Sequence, residues 1–319
     1  NKRQTRGSVG MRSKGAIWFI FALLSFLSPA LGQESSGISQ VLPWGPGPNQ
    51  LGRIDPNESD AEGPASFLVE ESGEFLVLDQ VKSRIVRVDR QGDFVESIEL
   101  PGSNFMGLER LPNGRLLAVD RLVRRSVVIV DELLGVLAEY PIEGEYIEDS
   151  GVITAIFVRG DGLWLEVSHS YSVRILGLDW KPSPRVTIAG RPSNAGAGSL
   201  VARLTSAKAL QLALVDGTGT ASWSRELEFT DPLERIVWVE DLPDGRTIVV
   251  AHTRNITTGK EELRATRVNR FGEVESEGAV PYTVAIWYLQ QDVRIRPIGD
   301  LFRMWFDESG VHLDEWRLP

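Results

Sequence analysis

Val77-Leu78-Asp79-Gln80-Val81-Lys82-Ser83-Arg84-Ile85-Val86-Arg87-Val88-Asp89-Arg90-Gln91-Gly92 contains two short β-prone runs, a loop that opens on an aspartate, and a closing turn. Apolar runs this brief, bounded by polar residues and glycine, read as strands rather than helices. The closing turn recurs. Its further copies are Asp131 with Gly135, Asp179 with Trp180-Lys181-Pro182, Asp216-Gly217-Thr218-Gly219, Asn269-Arg270-Phe271-Gly272 and Asp307-Glu308-Ser309-Gly310. Each follows a strand-like run and most precede another, which is hairpin grammar. The six copies lie on average about 44 residues apart, the span of one four-stranded propeller blade.

The chain therefore reads as all-β, a six-bladed β-propeller over residues 63–319. Runs covered on both faces, as in stacked blades, are continuously apolar, and Phe75-Leu76-Val77-Leu78 and Val127-Val128-Ile129-Val130 have that character. In blade four the runs 199–204, 209–216 and 221–229 carry the pattern, with 199–204 as a weak inner strand. The glycine-rich stretch 190–198 before them reads as a loop. Blade six offers three strands, ending in 311–318. An open ring would leave two unpaired edges, so residues 38–44 are expected to supply the missing outer strand beside 311–318. Residues 33–62 are thus a closing strand followed by a loop.

The Asp79 to Arg84 interval resembles the NHL repeat, in which an aspartate ends one strand and an arginine opens the next. Val119-Asp120 and Arg125-Ser126-Val127-Val128-Ile129-Val130-Asp131 are similar. The resemblance implies a six-bladed propeller of the NHL or TolB-like kind and implies no reaction. It makes Asp79, Arg84, Asp89, Gly92, Asp120 and Asp131 structural repeat residues. A strand-end carboxylate accepts N–H groups of the following loop, and an arginine pairs with it.

Residues 1–32 differ from the rest. Lys2, Arg3, Arg6, Arg12 and Lys14 precede the apolar run 16–27, and Ser28-Pro29-Ala30-Leu31-Gly32 follows. This is the pattern of an export signal cut after Gly32; the run is shorter than the roughly 20 residues of a spanning helix. Met11 lies within the basic region, so residues 1–10 read as upstream readthrough. Cleavage removes five basic and no acidic residues, taking the formal charge from −10 to −15. Such a surface repels phosphates and anionic headgroups, which argues against nucleic-acid binding and against stable membrane insertion after cleavage. There is no cysteine, hence no disulfide and no lipid-attachment site. A periplasmic or secreted monomer is expected.

Candidate chemistry is sparse. Of three histidines, His169 and His252 follow or end the second strands of blades three and five, near the position of Asp79 and Asp120. A divalent metal held by this pair at the channel is the reading they permit, although no His-x-His spacing supports a cage. Glu109, Asp149, Glu240 and Asp241 stand near inner strands, where carboxylates can bind calcium. No Gly-x-Ser-x-Gly elbow is present. Trp287 and Tyr288 are loop aromatics suited to anchoring a peptide or glycan. The expected function is accordingly non-enzymatic: binding of a protein, peptide or cell-envelope partner through loops on one face, with no cofactor. The alternative is a metal-dependent lyase or lactonase working at the central channel.

Overall fold

The structure, a computed structural model, describes residues 39–55, 61–194, 196, 198–283 and 291–319. These form six four-stranded antiparallel sheets with two short 3-10 turns, Gln80–Lys82 and Ser150–Val152. Blade one runs outward through Ser66–Val69, Phe75–Asp79, Arg84–Val88 and Phe94–Glu99. The inner strands of blades two to six are Gly107–Arg110, Ile153–Arg159, Arg191–Pro192, Leu233–Asp241 and Val293–Ile295. The export segment 1–32, its expected cleavage site, and Trp287 and Tyr288 lie outside the described residues. No helix among the described residues is long and apolar enough to cross a membrane.

The ring closes as the unpaired-edge argument requires. Ser39–Leu42 pairs antiparallel with Val311–Trp316, Ser39 opposite Asp314 and Leu42 opposite Val311. Leu42 is fully buried against Val311, Phe306 and the blade-one strands. The indole Nε1 of Trp44 donates to the carbonyl of Asp307 at 2.9 Å. Blade six is thus built from both ends of the described chain, and its fourth strand precedes the other three in sequence.

That closure explains a difference from the repeat reading. Five of the six turns join the third and fourth strands of their blades, but residues 307–310 join the second and third. A third-to-fourth hairpin is impossible in blade six, because its fourth strand arrives from the N-terminal side. The turns themselves are one device. Asp89 Oδ1 accepts from the amides of Gln91 and Asp93, both at 2.9 Å, and Gly92 takes φ +90°. Asp216 and Asn269 repeat this with Thr218 and Thr220, and with Phe271 and Glu273. A short side chain mimicking a backbone turn, a left-handed glycine and a bulge beside it make the hairpin.

Between blades, apolar side chains interdigitate. Val119 and Val127 of blade two pack with Ile156 and Leu165 of blade three, and Leu78 and Ile85 of blade one with Leu108 and Val128 of blade two. Burial of these runs is the main stabilising contribution in a chain without disulfides.

Blade four departs from the expected assignment. The run 199–204 belongs to the second strand, Gly198–Ser206, and the inner strand is only Arg191–Pro192, inside the stretch read as a loop. Blade three ends at Ala189, and the single residue Gly190, at φ +68°, leads directly into Arg191. A Cβ at Gly190 would stand 2.1 Å from the Leu200 carbonyl oxygen, so glycine is required there. Elsewhere several residues cross from one blade to the next. Here the short crossing leaves the first half of an inner strand missing.

Candidate functional site

The missing half-strand opens a cavity. At the end of the ring where the inner strands begin, Thr154, His169, Arg203, Leu204, Arg235 and Asp292 are among the residues lining a space of about 460 Å3. A smaller adjoining space of about 230 Å3 shares His169, Arg191, Ala202, Arg203 and Ile236 with it and reaches Glu166 and Leu200. The combined size falls in the roughly 300–1,000 Å3 range of ligand clefts.

One wall is built on Glu166, in the second strand of blade three. Arg191 donates to it through Nε at 2.7 Å and Nη2 at 3.2 Å, and Thr154 Oγ1 donates at 2.8 Å. His169 Nδ1 completes the set at 3.0 Å. Burial pushes the Glu166 pKa up, but the Arg191 guanidinium and the His169 contact outweigh it and hold it at about 2. An ionised Glu166 accepts only, so Nδ1 of His169 bears a proton and donates it to the carboxylate. Ser168 and His169 both have positive φ, 49° and 53°, and Ser170 N–H closes on the Val167 carbonyl at 2.9 Å. Three residues separate the paired Val167 and Tyr171, and the turn's two central residues take the positive φ that favours Asn-Gly. Blades one and two place longer loops here, after Asp79 and Asp120.

Across the cavity, burial raises the pKa of Asp292, with Arg235 offsetting it only in part. The side chain of Arg203 has no hydrogen-bond or ion-pair partner among the described residues.

The opposite end of the channel has another character. A space of about 260 Å3 there is crossed by ion pairs between blades. Arg159 reaches Glu240 at 2.8 Å, and Arg294 reaches Glu109 at 2.5 Å while donating to the carbonyls of Phe67 and Leu108. Burial raises the pKa of Glu240, and Asp241 and Glu109 add to this against the pull of Arg159. These guanidiniums tie blades together and already satisfy the carboxylates.

The other sequence candidates are distributed as follows. His252 lies within the strand Thr247–Arg254, its Nε2 3.2 Å from Glu261 Oε2 and its ring 4.0 Å from that of Tyr282. Burial pushes its pKa below the ordinary histidine value despite Glu261. His169 lines the cavity and His252 does not. Among the described residues no group of three or more His, Cys, Asp or Glu side chains is placed to hold a metal ion. The donor set at His169 is committed as well, since Glu166 is taken up by Arg191 and Thr154. Asp149 caps a 3-10 turn through the Gly151 amide, and Asp241 accepts from the Asn194 amide at 2.8 Å.

Asp79 pairs with Arg84 at 3.0 Å, and Arg84 clasps the carbonyls of Pro48 and Gln50. Asp120 accepts the amides of Leu122, Val123 and Arg124, whereas Arg125 turns outward to Glu143 at 3.0 Å. Asp131 accepts from Leu133 and Leu134.

Six sheets of four antiparallel strands in chain order, with the last completed by the first strand, leave one architecture. The fold is a six-bladed β-propeller. No protein-family profile matches the sequence, and no curated protein matches it. Among solved structures the propeller is similar to hydrazine synthase of Kuenenia stuttgartiensis, at 13% identity over 78% of this chain and 76% of that one, TM-score 0.52. It is also similar to a member of the DUF4221 family from Bacteroides vulgatus, at 11% identity over 80% and 92%, TM-score 0.50. At such identities the likeness concerns the fold.

Sequence reasoning did not find Glu166, Arg191, Thr154 or Arg203. A usable signal existed. Asp179 and Asp216 stand only 37 residues apart, the smallest step between turns of the repeat, so a strand had to be short in blade four.

Proposed function

We propose that this chain is an exported, non-enzymatic propeller of the NHL or TolB-like kind that binds a protein or peptide partner. Its partner sits on the face where the inner strands begin. The observation that carries the reading is the cavity left by the truncated inner strand of blade four, on the face whose second-to-third-strand loops differ from blade to blade. Loops on a rigid scaffold are where binding residues concentrate. The opposite mouth is knit together by Arg159–Glu240 and Arg294–Glu109, which supports a structural role there. A charge of −10 on the whole chain disfavours nucleic acid as the partner.

Photo-crosslinking tests this. A benzoylphenylalanine placed at Leu204 is expected to give a discrete adduct in envelope extract, and one at Leu133, exposed on a turn at the opposite end, to give none. No adduct from Leu204, or the same adducts from both positions, contradicts the reading.

A further inference from the structure

The inner strand of blade four pairs only with Ser199 and Leu200 of the nine-residue second strand. Two bonds fix which later residues turn their main-chain groups toward the channel. The amide of Ser193 donates to the carbonyl of Gly198 at 3.0 Å, which directs Gly198 inward. The amide of Asp216 donates to the carbonyl of Thr220 at 2.9 Å, which directs Asp216 outward and leaves its odd-numbered neighbours facing the second strand. Because N–H and C=O groups alternate sides along a strand, both observations give one phase. Val201 and Arg203 bond their partners Ala213 and Gln211, while Ala202 and Leu204 point N–H and C=O to the channel side. Among the described residues no strand pairs with Ala202 or Leu204 on that side.

Ala202 and Leu204 both line the 460 Å3 cavity. Among the described residues the main-chain donors and acceptors of Ala202 and Leu204 on this edge meet no partner strand, and open space lies beside them where an inner strand would run. An unpaired strand edge is a template for another chain, and extended peptides exploit such edges by adding a strand.

We propose that an extended segment of a partner polypeptide binds here by strand addition, completing the inner strand of blade four antiparallel to residues 201–206. The proposal rests on the binding reading above and specifies its ligand. Recognition is through the main chain of the peptide, to the N–H and C=O groups of Ala202 and Leu204. Ile236 and the His169–Glu166 pair form the walls on either side, and they pack the side chains that alternate above and below the added strand.

The test uses a displayed library of random nine-residue peptides selected on the purified chain. Recovered peptides are resynthesised with fluorescein and measured again with N-methyl groups at successive backbone nitrogens. N-methylation at one alternating set of positions is expected to weaken binding about tenfold, as loss of a main-chain hydrogen bond does, and at the other set to leave it unchanged. Ala202→Pro is expected to weaken binding similarly while the chain stays folded, because its N–H takes no part in the ladder to the third strand and proline is tolerated on open edges. Val201→Pro removes a ladder bond and is the unfolding control. Recovery of no peptide, or indifference to N-methylation at every position, overturns the proposal. Indifference to N-methylation together with a Leu204 adduct overturns strand addition alone and leaves the binding face standing. A missing Leu204 adduct with intact alternation does the reverse.

Discussion

Arg191 closes on Glu166 with two hydrogen bonds, 2.7 and 3.2 Å, and so joins the truncated inner strand of blade four to the second strand of blade three. Both groups are buried. The pair fastens the two residues that remain of this strand, which has only two ladder partners of its own, Ser199 and Leu200. It also fixes the wall of the cavity and, through Glu166, the orientation of the His169 ring.

This pair makes stability fall in acid. The Glu166 pKa is held at about 2 against an ordinary 4.5, so the folded state binds fewer protons than the unfolded one between these values. The contribution is complete above about pH 4.5 and is lost as pH drops toward 2. It amounts to about 3 kcal/mol at roughly 1.4 kcal/mol per pKa unit. Urea titrations from pH 6 to pH 3 on the native chain and on Glu166→Gln should show a steeper decline for the native chain. Parallel curves would count against the assignment.

The two members of the repeated aspartate–arginine signature should differ in weight in blade two. Asp120 is buried and accepts three loop amides, so Asp120→Ala strands several donors and should cost about 2–3 kcal/mol. Arg125 is exposed beside Glu143, and Arg125→Ala should cost under about 1 kcal/mol. Chemical denaturation of the two variants decides the matter. Equal losses would mean that Arg125 serves the loop in a way its geometry does not suggest.

Ring closure predicts a contrast between adjacent residues. Leu42 is fully buried, and Leu42→Ala should cost about 2–5 kcal/mol. Val41, 48% exposed on the same strand, should tolerate alanine within about 0.5 kcal/mol. Thermal melts of both variants provide the comparison. If the two melt alike, the closing strand does not seal the ring.

Blades one, two, three and five were legible in sequence because each concentrates β-branched and leucine residues in runs ended by an aspartate or a glycine. The closing strand was legible from arithmetic, since three strands at one end require a fourth. Blade four was not, because Arg191-Pro192 carries no β signal: proline lacks an amide, and arginine is there for Glu166. The site stayed hidden for a related reason. It consists of a missing strand, and the residues around it, Thr154, Glu166, Ala202 and Leu204, sit in ordinary strand patterns. His169 was singled out by its place after a second strand, but its attachment to Glu166 depends on a hairpin whose two positive-φ residues, Ser168 and His169, give no turn signal of the Asn-Gly type.

The most direct test of the open edge is residue-resolved amide exchange along the second strand of blade four. The account predicts that, without a ligand, the amides of Val201 and Arg203 are protected while those of Ala202 and Leu204 exchange near the rate of unstructured chain, and that a selected peptide protects the latter two. Uniform protection of all four amides in the free chain would contradict it.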